Sequence, residues 1–313
     1  MPLFRFASFA VLAALLTAVV NAGNQYPVIL VHGFGGWGRD EMLGFKYWGG
    51  FHGDYEAKLR DQGYDVHTAV VGPFSSNWDR ACELYAQIKG GTVNYGPRHS
   101  AFHNHSVTGR TFPGLVPEWG STVNGSTIKV HLVGHSMGGQ TIRMLAQLLA
   151  HGSKGAPVEE DPESHPLFAG GKQEWVHSIT TISTPNQGTL LADGLTVIGD
   201  KLQKAVAGIF GIAGLFGRGS AKLFDAKLDH WGVAPRSGNE GIEDYIKRVF
   251  QSKMFRPGFK DVCLHSLSTT GAAEENAWVQ TLPGVYYHSY STQDTFRLLS
   301  VELPRPWSML TPL

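Results

Sequence analysis

The sequence predicts an α/β fold built on a mostly parallel sheet, and two observations support this prediction. Short apolar segments rich in β-branched residues alternate with helical patterns along the chain, as expected when helices connect parallel strands. The 313 residues are 42% hydrophobic, which suffices for the core of one domain. The predicted strands are 28–31, 66–71, 128–133, 176–182 and 285–290.

The first 22 residues have the pattern of a secretory signal peptide. Arg5 precedes an apolar run from Phe6 to Val20, and Val20-Asn21-Ala22 ends the run with small residues, as at a cleavage site. The run is too short for a transmembrane anchor and lacks stop-transfer flanks. We therefore expect removal of residues 1–22 and a secreted, extracellular protein without a transmembrane anchor.

Other features fit a secreted protein and narrow its partners. Asn104 and Asn124 each begin an Asn-x-Ser sequon and are candidate glycosylation sites. Cys82 and Cys263 are the two cysteines, and the sequence does not show whether they meet to form a disulfide. With 26 basic and 26 acidic residues the formal net charge is zero, so no nucleic-acid partner is expected. The oligomeric state stays open.

Residues 128–140 carry the motif of a catalytic serine. The predicted strand 128–133 leads into Gly134-His135-Ser136-Met137-Gly138, and a helical pattern follows. A Gly-x-Ser-x-Gly sequence between strand and helix is typical of the nucleophile elbow of α/β-hydrolases, in which glycines leave room for a strained serine backbone. Ser136 is the predicted nucleophile. The alternative is a tight turn with an inert serine.

A glycine-rich loop after the first strand provides a candidate oxyanion hole. Strand 28–31 opens into His32-Gly33-Phe34-Gly35-Gly36. In α/β-hydrolases such a loop contributes one backbone N–H, and the residue after the nucleophile contributes another. This assigns the hole to the backbone amides of Phe34 and Met137. We interpret His32 as a packed loop residue rather than a proton shuttle.

Longer motifs resemble one family, the thermoalkalophilic bacterial lipases, which are secreted α/β-hydrolases with a structural zinc site. The resemblance extends from residue 27 to about residue 297 and implies an α/β-hydrolase (lipase) domain over residues 23–297, acting on triacylglycerols or long-chain esters at an interface. Many members have Ala and Gln where this chain has Gly134 and Met137. The motifs that carry the resemblance, besides the elbow, are residues 27–34, 44–50, 75–83, 90–96, 109–115 and 227–232.

The resemblance implies a zinc ion outside the catalytic site. Its ligand pattern maps onto Asp79, His99, His105 and Asp229. Two imidazoles and two carboxylates suit a closed tetrahedral zinc site without a reactive water. Because His105 lies within the Asn104 sequon, either that glycan is absent or Asn104 faces solvent while His105 points inward. The calcium site of the family is not carried over, because the resemblance does not reach most of its ligands.

The segment 190–220 is the expected lid. Its apolar residues recur every three or four positions, as on one face of a helix, and the resemblance places here the flap that covers the active site in water and lifts at a lipid surface. The alternative is an ordinary core-packing helix. The apolar positions are Leu195, Ile198, Leu202, Val206, Ile209, Ala213 and Phe216.

The sequence does not provide the acid and the base of a triad. In α/β-hydrolases the chain order is Ser, then Asp or Glu, then His, yet no histidine follows His288. Residues 298–313 do not resemble the family and read as a non-homologous tail. We therefore expect a chain truncated before the catalytic Asp and His, with the C-terminal strands of the sheet missing. The candidate acids without a usable histidine after them are Asp193, Asp200, Asp261 and Asp294, and His230, His265 and His288 are interpreted as structural.

Three functions stay open at this point. The first is a secreted serine lipase that forms an acyl-enzyme on Ser136, with its activity in doubt for this chain. The second is a catalytically inactive, secreted lipid- or surface-binding homologue. The third is another acyl hydrolase, such as an esterase or an acyltransferase, and a long apolar lid disfavours an ordinary esterase for soluble substrates.

Overall fold

The computed structural model describes residues 26–197, 224–256, 258–293, 295–298 and 301–304. The predicted signal peptide, residues 198–220 of the predicted lid and most of the predicted tail lie outside the described residues. None of the helices in the described ranges is long and apolar enough to span a membrane.

Strands and helices alternate along the first two thirds of the chain. The strands are β1 (Val28–Val31), β2 (Val66–Ala69), β3 (Gly91–Asn94), β4 (Thr108–Phe112), β5 (Thr122–Val123), β6 (Ser126–Thr127), β7 (Val130–His135), β8 (Val176–Ile182), β9 (Tyr286–Tyr290), β10 (Thr295–Leu298) and β11 (Val301–Pro304). The helices are α1 (Tyr55–Asp61), α2 (Asn77–Lys89), α3 (Pro97–His103), α4 (Met137–His151), α5 (Leu190–Val197), α6 (Ile242–Phe250), α7 (Cys263–Leu267) and α8 (Thr269–Asn276). Short 3-10 turns occupy Met42–Gly44, Gly50–His52, Gln173–Trp175, Asp229–Trp231 and Lys253–Phe255.

A five-stranded parallel sheet in the order β2-β1-β7-β8-β9 organises the fold. This confirms the predicted mostly parallel sheet, and each of its strands overlaps the predicted segment. Three antiparallel pairs lie outside it: β3 with β4, β5 with β6, and β10 with β11. Because the parallel strands run the same way, the loops after β1, β7 and β8 leave from one edge of the sheet. This edge is called the carboxyl edge below.

The core packs most tightly on one face of the sheet. Along β7 the side chains alternate, so that Val130 and Leu132 are fully buried while His131 and Val133 are only partly covered. Helix α4 covers β7 and β8 on the buried face, and α2 packs against α4. Cys82 and Cys263 are both buried and free, which answers the question that the sequence left open. A second apolar cluster surrounds Phe74, Met137, Trp231 and Tyr245.

A partly buried carboxylate connects α8 to α2. Glu275 Oε2 accepts a hydrogen bond of 2.8 Å from Asn77 Nδ2. Burial raises the pKa of Glu275 to about 7, although Asn77, Ser266 and the charge of Arg143 oppose the rise and Glu274 adds to it. The folded state therefore holds this proton more tightly than the unfolded chain, in which a glutamate has a pKa near 4.5.

The sign of the resulting pH dependence follows from this difference. The contribution of Glu275 to stability is fully present below pH 4.5 and is lost as the pH rises to about 7. We predict that Glu275→Gln, which keeps an acceptor oxygen and cannot ionise, is more stable than the parent above pH 7 by on the order of 2 kcal/mol, after a discount for partial exposure. The two proteins should converge at low pH. Thermal unfolding across this pH range measures the difference.

The neighbouring Glu274 supplies a matched control. Its carboxylate binds Lys260, which holds the pKa of Glu274 below its usual value. Glu274→Gln should therefore show no gain in stability at high pH. A gain of equal size in both variants would contradict the assignment to Glu275.

Candidate active site and metal centre

Ser136 occupies a sharp turn between β7 and α4. Its backbone angles are φ 53° and ψ −129°, which non-glycine residues rarely adopt. The backbone N–H of Ser136 donates to Ile182 O over 2.8 Å, so the turn is attached to the end of β8. A Cβ at Gly134 would lie 2.4 Å from the backbone of Gly138. Both glycines of the motif are therefore required by close backbone contact.

The glycine-rich loop after β1 lies directly against this turn. A Cβ at Gly33 would be 2.7 Å from Ser136 Cβ and 3.1 Å from its Oγ. Phe34 follows Gly33 and is partly buried, whereas Met137 is fully buried at the first position of α4. The structure thus brings the predicted nucleophile together with the two segments that carry the predicted oxyanion amides.

Tyr47 joins the loop to the turn, a role that the sequence did not indicate. Its Oη accepts a hydrogen bond of 2.9 Å from the Gly33 N–H and lies 2.6 Å from His135 Nδ1. Burial raises the pKa of Tyr47 to about 12 and lowers the pKa of His135. At neutral pH the tyrosine hydroxyl therefore donates to a neutral imidazole. One hydroxyl thereby holds the glycine loop and the residue before Ser136 in fixed positions.

Arg80, on α2, holds the same loop from the opposite side. This fully buried side chain donates to the carbonyls of His32 and Gly72 and to Thr141 Oγ1. Burial lowers the pKa of Arg80 to about 10, so it remains charged at neutral pH. The His32 ring is buried beside Gly33 O, 2.9 Å from its Nδ1, and burial holds the pKa of His32 well below its usual value. This geometry agrees with a packed loop residue.

None of the histidines contacts the Ser136 hydroxyl. All 14 lie within the described ranges, and within this part of the chain none is hydrogen-bonded to that oxygen. His265 binds Glu274 over 3.0 Å, and His288 is exposed on β9. Among the candidate acids, Asp193 accepts from Thr269, whereas Asp200 and Asp294 lie outside the described residues. The acid and base of a triad are therefore not found among the described residues.

A second group of polar side chains converges away from Ser136. Asp79, His99, His105 and Asp261 each offer one ligand atom, and these atoms lie within 4.8 Å of one another. Asp261 Oδ2 is 3.2 Å from His99 Nε2 and 3.4 Å from His105 Nε2. Asp79 Oδ1 is 3.4 Å from His99 Nε2 and 4.0 Å from His105 Nε2. This buried cluster is suited to hold a metal ion.

The surroundings of the cluster fit a cation. Asp79 Oδ1 and His105 Nε2 are buried, and neither has a hydrogen-bond partner among the described residues. A buried polar atom without a partner costs about 1–3 kcal/mol, and a cation would satisfy both atoms. The remaining oxygen, Asp79 Oδ2, lies 2.9 Å from His230 Nε2. Trp78 stacks on the His99 ring at 4.8 Å, which fixes its orientation.

The prediction of Asp229 as the fourth ligand was wrong. The Asp229 carboxylate accepts from Arg110 Nε, and Asp225 binds the same guanidinium over 2.6 Å. Asp261, just before α7, takes the fourth position in the cluster. The physical reason is the 3-10 turn Asp229–Trp231, in which His230 points inward to Asp79 while Asp229 points to Arg110. Sequence order does not show which side chain of such a turn faces inward.

The overlap of a sequon with the cluster is also resolved. Asn104 has a left-handed backbone with φ 59° at the end of α3, and it is exposed. The His105 side chain is fully buried. Of the two alternatives, the structure therefore has Asn104 facing solvent while His105 points inward.

Comparison with known proteins identifies the family. A family model described as "Lipase-like, C-terminal domain" matches residues 24–306. The chain belongs to the bacterial lipase family. This confirms the resemblance found in the sequence motifs. A lipase from Staphylococcus epidermidis is 37% identical over 297 residues, which cover 92% of this chain and 41% of that relative. The chain thus spans about two fifths of the length of this curated relative.

Solved structures of the lipase family agree with this assignment. Lipase 1 from Pelosinus fermentans is 50% identical, with a TM-score of 0.74, covering 84% of this chain and 67% of that chain. EstA from Clostridium botulinum is 45% identical, with a TM-score of 0.79, covering 91% of this chain and 65% of that chain. The α/β fold of this lipase-family chain is therefore shared with experimentally solved relatives.

The contact between Gly33 and Ser136 generates a prediction. We expect Gly33→Ala to lower the free energy of unfolding by about 1–3 kcal/mol, because the new methyl group overlaps the Ser136 side chain and the loop must shift. Gly194→Ala, at a position with nothing within 4 Å of the added carbon, serves as the control and should be neutral or slightly stabilising. Denaturant unfolding of the three proteins makes the comparison. Equal stability of the parent and Gly33→Ala would show that the loop is not closely packed against Ser136.

Proposed function

We propose that this chain carries the nucleophile and the oxyanion hole of a secreted serine lipase that hydrolyses acyl esters of triacylglycerols. The strained turn of Ser136 against the glycine loop carries this proposal. Such a turn costs about 1–3 kcal/mol, and a fold retains it where an exposed nucleophile is needed. The names of the similar proteins support the same reaction class.

The proposed reaction begins with attack of Ser136 Oγ on the ester carbonyl carbon. The carbonyl oxygen then carries negative charge and accepts hydrogen bonds from the backbone N–H groups of Phe34 and Met137. Met137 lies at the N-terminus of α4, where free N–H groups and the helix dipole favour an anion. Collapse of this intermediate breaks the bond to the glycerol oxygen, which takes up the proton lost from Ser136 Oγ and leaves as an alcohol, and an acyl ester remains on Ser136. Water then releases the fatty acid.

Removal of the proton from the Ser136 hydroxyl is the step of the proposed reaction for which the described residues provide no base. The described histidines do not contact its hydroxyl, and a protonated serine is a poor nucleophile. An oxyanion hole and substrate binding alone accelerate the reaction by a factor on the order of 10³ to 10⁴ over its rate in water. We therefore expect slow hydrolysis by this chain. The same observation favours the second candidate, a secreted homologue that binds lipid without turnover.

Zinc is the proposed occupant of the metal centre. Two imidazoles and two carboxylates match its tetrahedral preference, and four protein ligands leave no place for a catalytic water. Burial opposes a charged His99, but Asp261 and Asp79 outweigh burial and raise the pKa of His99 to about 10. The carboxylates thus supply negative charge that a divalent ion would neutralise when bound. Asp79, His99, His105 and Asp261 would thereby join α2, the end of α3 and the segment before α7.

The nucleophile assignment predicts a specific loss of activity. Hydrolysis of a medium-chain p-nitrophenyl ester should be slow but measurable, and Ser136→Ala should reduce it to the uncatalysed rate. Ser183→Ala is the matched control, because Ser183 also has a positive φ of 49° but belongs to the turn after β8. Equal rates for the parent and Ser136→Ala would remove the lipase proposal. Lipid binding without turnover would favour the non-catalytic homologue.

The metal assignment predicts a change in stability on metal removal that depends on Asp261 and not on Asp229. Removal of zinc by a chelator should lower the melting temperature, because an ion bound only to the folded state stabilises it by about 4 kcal/mol at a thousandfold excess over its Kd. Asp261→Asn should abolish the chelator response. Asp229→Asn should keep the response, since Asp229 binds Arg110. A parent protein that is insensitive to the chelator and copurifies without zinc would contradict the proposal.

A further inference from the structure

A short turn near the carboxyl edge presents aromatic side chains to water. Phe51 is 97% exposed and Phe45 is 39% exposed, and their rings pack edge to face with centroids 5.1 Å apart. Phe51 thus contacts another surface phenylalanine rather than the core. Apolar area left in water has a free-energy cost, and exposed apolar clusters commonly mark interaction sites. The segment from Phe45 to Tyr55 is called the aromatic turn below.

The aromatic turn has a defined backbone. Gly49, Gly50 and Gly53 have φ values of 121°, 50° and 103°, which residues with side chains rarely adopt. The Tyr55 N–H donates to Trp48 O over 3.1 Å and closes the base of the turn. Hydrogen bonds therefore hold Phe51 outward, so its exposure is built into the turn.

The position of the turn connects it to the nucleophile. It follows β1, and Ser136 follows β7 at the same carboxyl edge of the sheet. Tyr47, within the aromatic turn, bonds to Gly33 and His135 on either side of the proposed active site. Leu190, the first residue of α5 and of the expected lid, follows β8 at this edge and is 80% exposed. A surface that contacts Phe51 would therefore lie near Ser136.

The charges around Phe51 indicate what kind of surface this is. Lys46 and Lys58 donate to the backbone carbonyls of Arg39 and His52 rather than to carboxylates. The nearby acids are already engaged, because Asp54 and the buried Glu56 both bind Arg39. Lys58 Nζ also lies 5.5 Å from the centroid of the Tyr55 ring. Within the described residues neither lysine forms an ion pair, so both charges can face an external anion. Exposed aromatic rings rimmed by lysines suit the headgroup region of an anionic membrane.

We infer that the aromatic turn docks this protein on an anionic lipid surface, with Phe51 entering the headgroup–acyl boundary and Lys46 and Lys58 contacting the headgroups. This inference deepens the proposed lipase function by naming the surface at which Ser136 would meet its ester. The docking element is separate from the lid expected at residues 190–220.

Vesicle binding tests the inference without requiring turnover. The full chain carrying Ser136→Ala is mixed with phosphatidylcholine vesicles, with or without phosphatidylglycerol, and bound protein is measured by flotation. Adding Phe51→Ala should weaken binding to the mixed vesicles about tenfold, the loss expected for one phenylalanine partly withdrawn from an interface. Phe51→Leu should restore most of the binding. Lys58→Gln should weaken binding to the anionic vesicles only.

A second exposed phenylalanine provides the matched control. Phe102 is 70% exposed and lies on α3, the helix that carries His99, rather than in the aromatic turn. Phe102→Ala should bind vesicles as the parent does, and melting temperatures should show that both alanine variants fold. The inference is overturned if the two alanine variants bind equally, if phosphatidylglycerol has no effect, or if the parent does not bind.

Activity on a short, soluble ester separates this inference from the proposed function. Phe51→Ala, in the chain with Ser136 intact, should hydrolyse such an ester at the rate of the parent. Phe51-dependent binding without any Ser136-dependent hydrolysis would support docking and remove the lipase proposal. Ser136-dependent hydrolysis, combined with vesicle binding that Phe51→Ala does not weaken, would support the lipase proposal and remove the docking inference.

Discussion

The strained backbone of Ser136 is the constraint on which the other features of this site depend. A residue with a side chain at φ 53° and ψ −129° is less stable than one in an ordinary turn, so its surroundings must hold it in place. Glycines at 33, 134 and 138 provide the space, because a Cβ at any of them would collide with a neighbour. The hydrogen bond from Ser136 to Ile182 fixes the turn to the sheet. The glycines and this hydrogen bond therefore hold the strained turn that the proposed nucleophile requires.

Two polar side chains, the partly buried Tyr47 and the fully buried Arg80, connect this turn to the surrounding elements. Tyr47 connects the glycine loop to His135, and Arg80 connects it to Thr141 on the helix that follows Ser136. Arg80 is adjacent in sequence to Asp79, which belongs to the metal centre. One helix, α2, therefore contributes to both groups of residues. Burial of three charged residues on it, Asp79, Arg80 and Glu83, is tolerated because each has polar partners.

Several large apolar side chains are exposed among the described residues, and two of the most exposed follow strands at the carboxyl edge. The carboxyl edge carries Ser136 together with the exposed Phe51 and Leu190, whereas the core beneath α2 and α4 is fully covered. Exposed apolar clusters commonly mark interaction sites. Under the proposed function, this exposure would bring Ser136 to a lipid phase that contains its ester.

The sequence alone determined the parallel strands, the elbow and the glycine loop, because these features depend on local patterns of apolar residues and on glycines at fixed spacing. Only the tertiary structure decided which aspartate completes the cluster that is suited to hold a metal ion. The sequence motifs indicate Asp229, but the orientation of a 3-10 turn directs Asp229 to Arg110, and Asp261 joins the cluster instead. It also revealed the Tyr47–His135 contact and the buried charges of α2. Such pairings join residues that are distant in the chain, so local sequence patterns carry no signal for them.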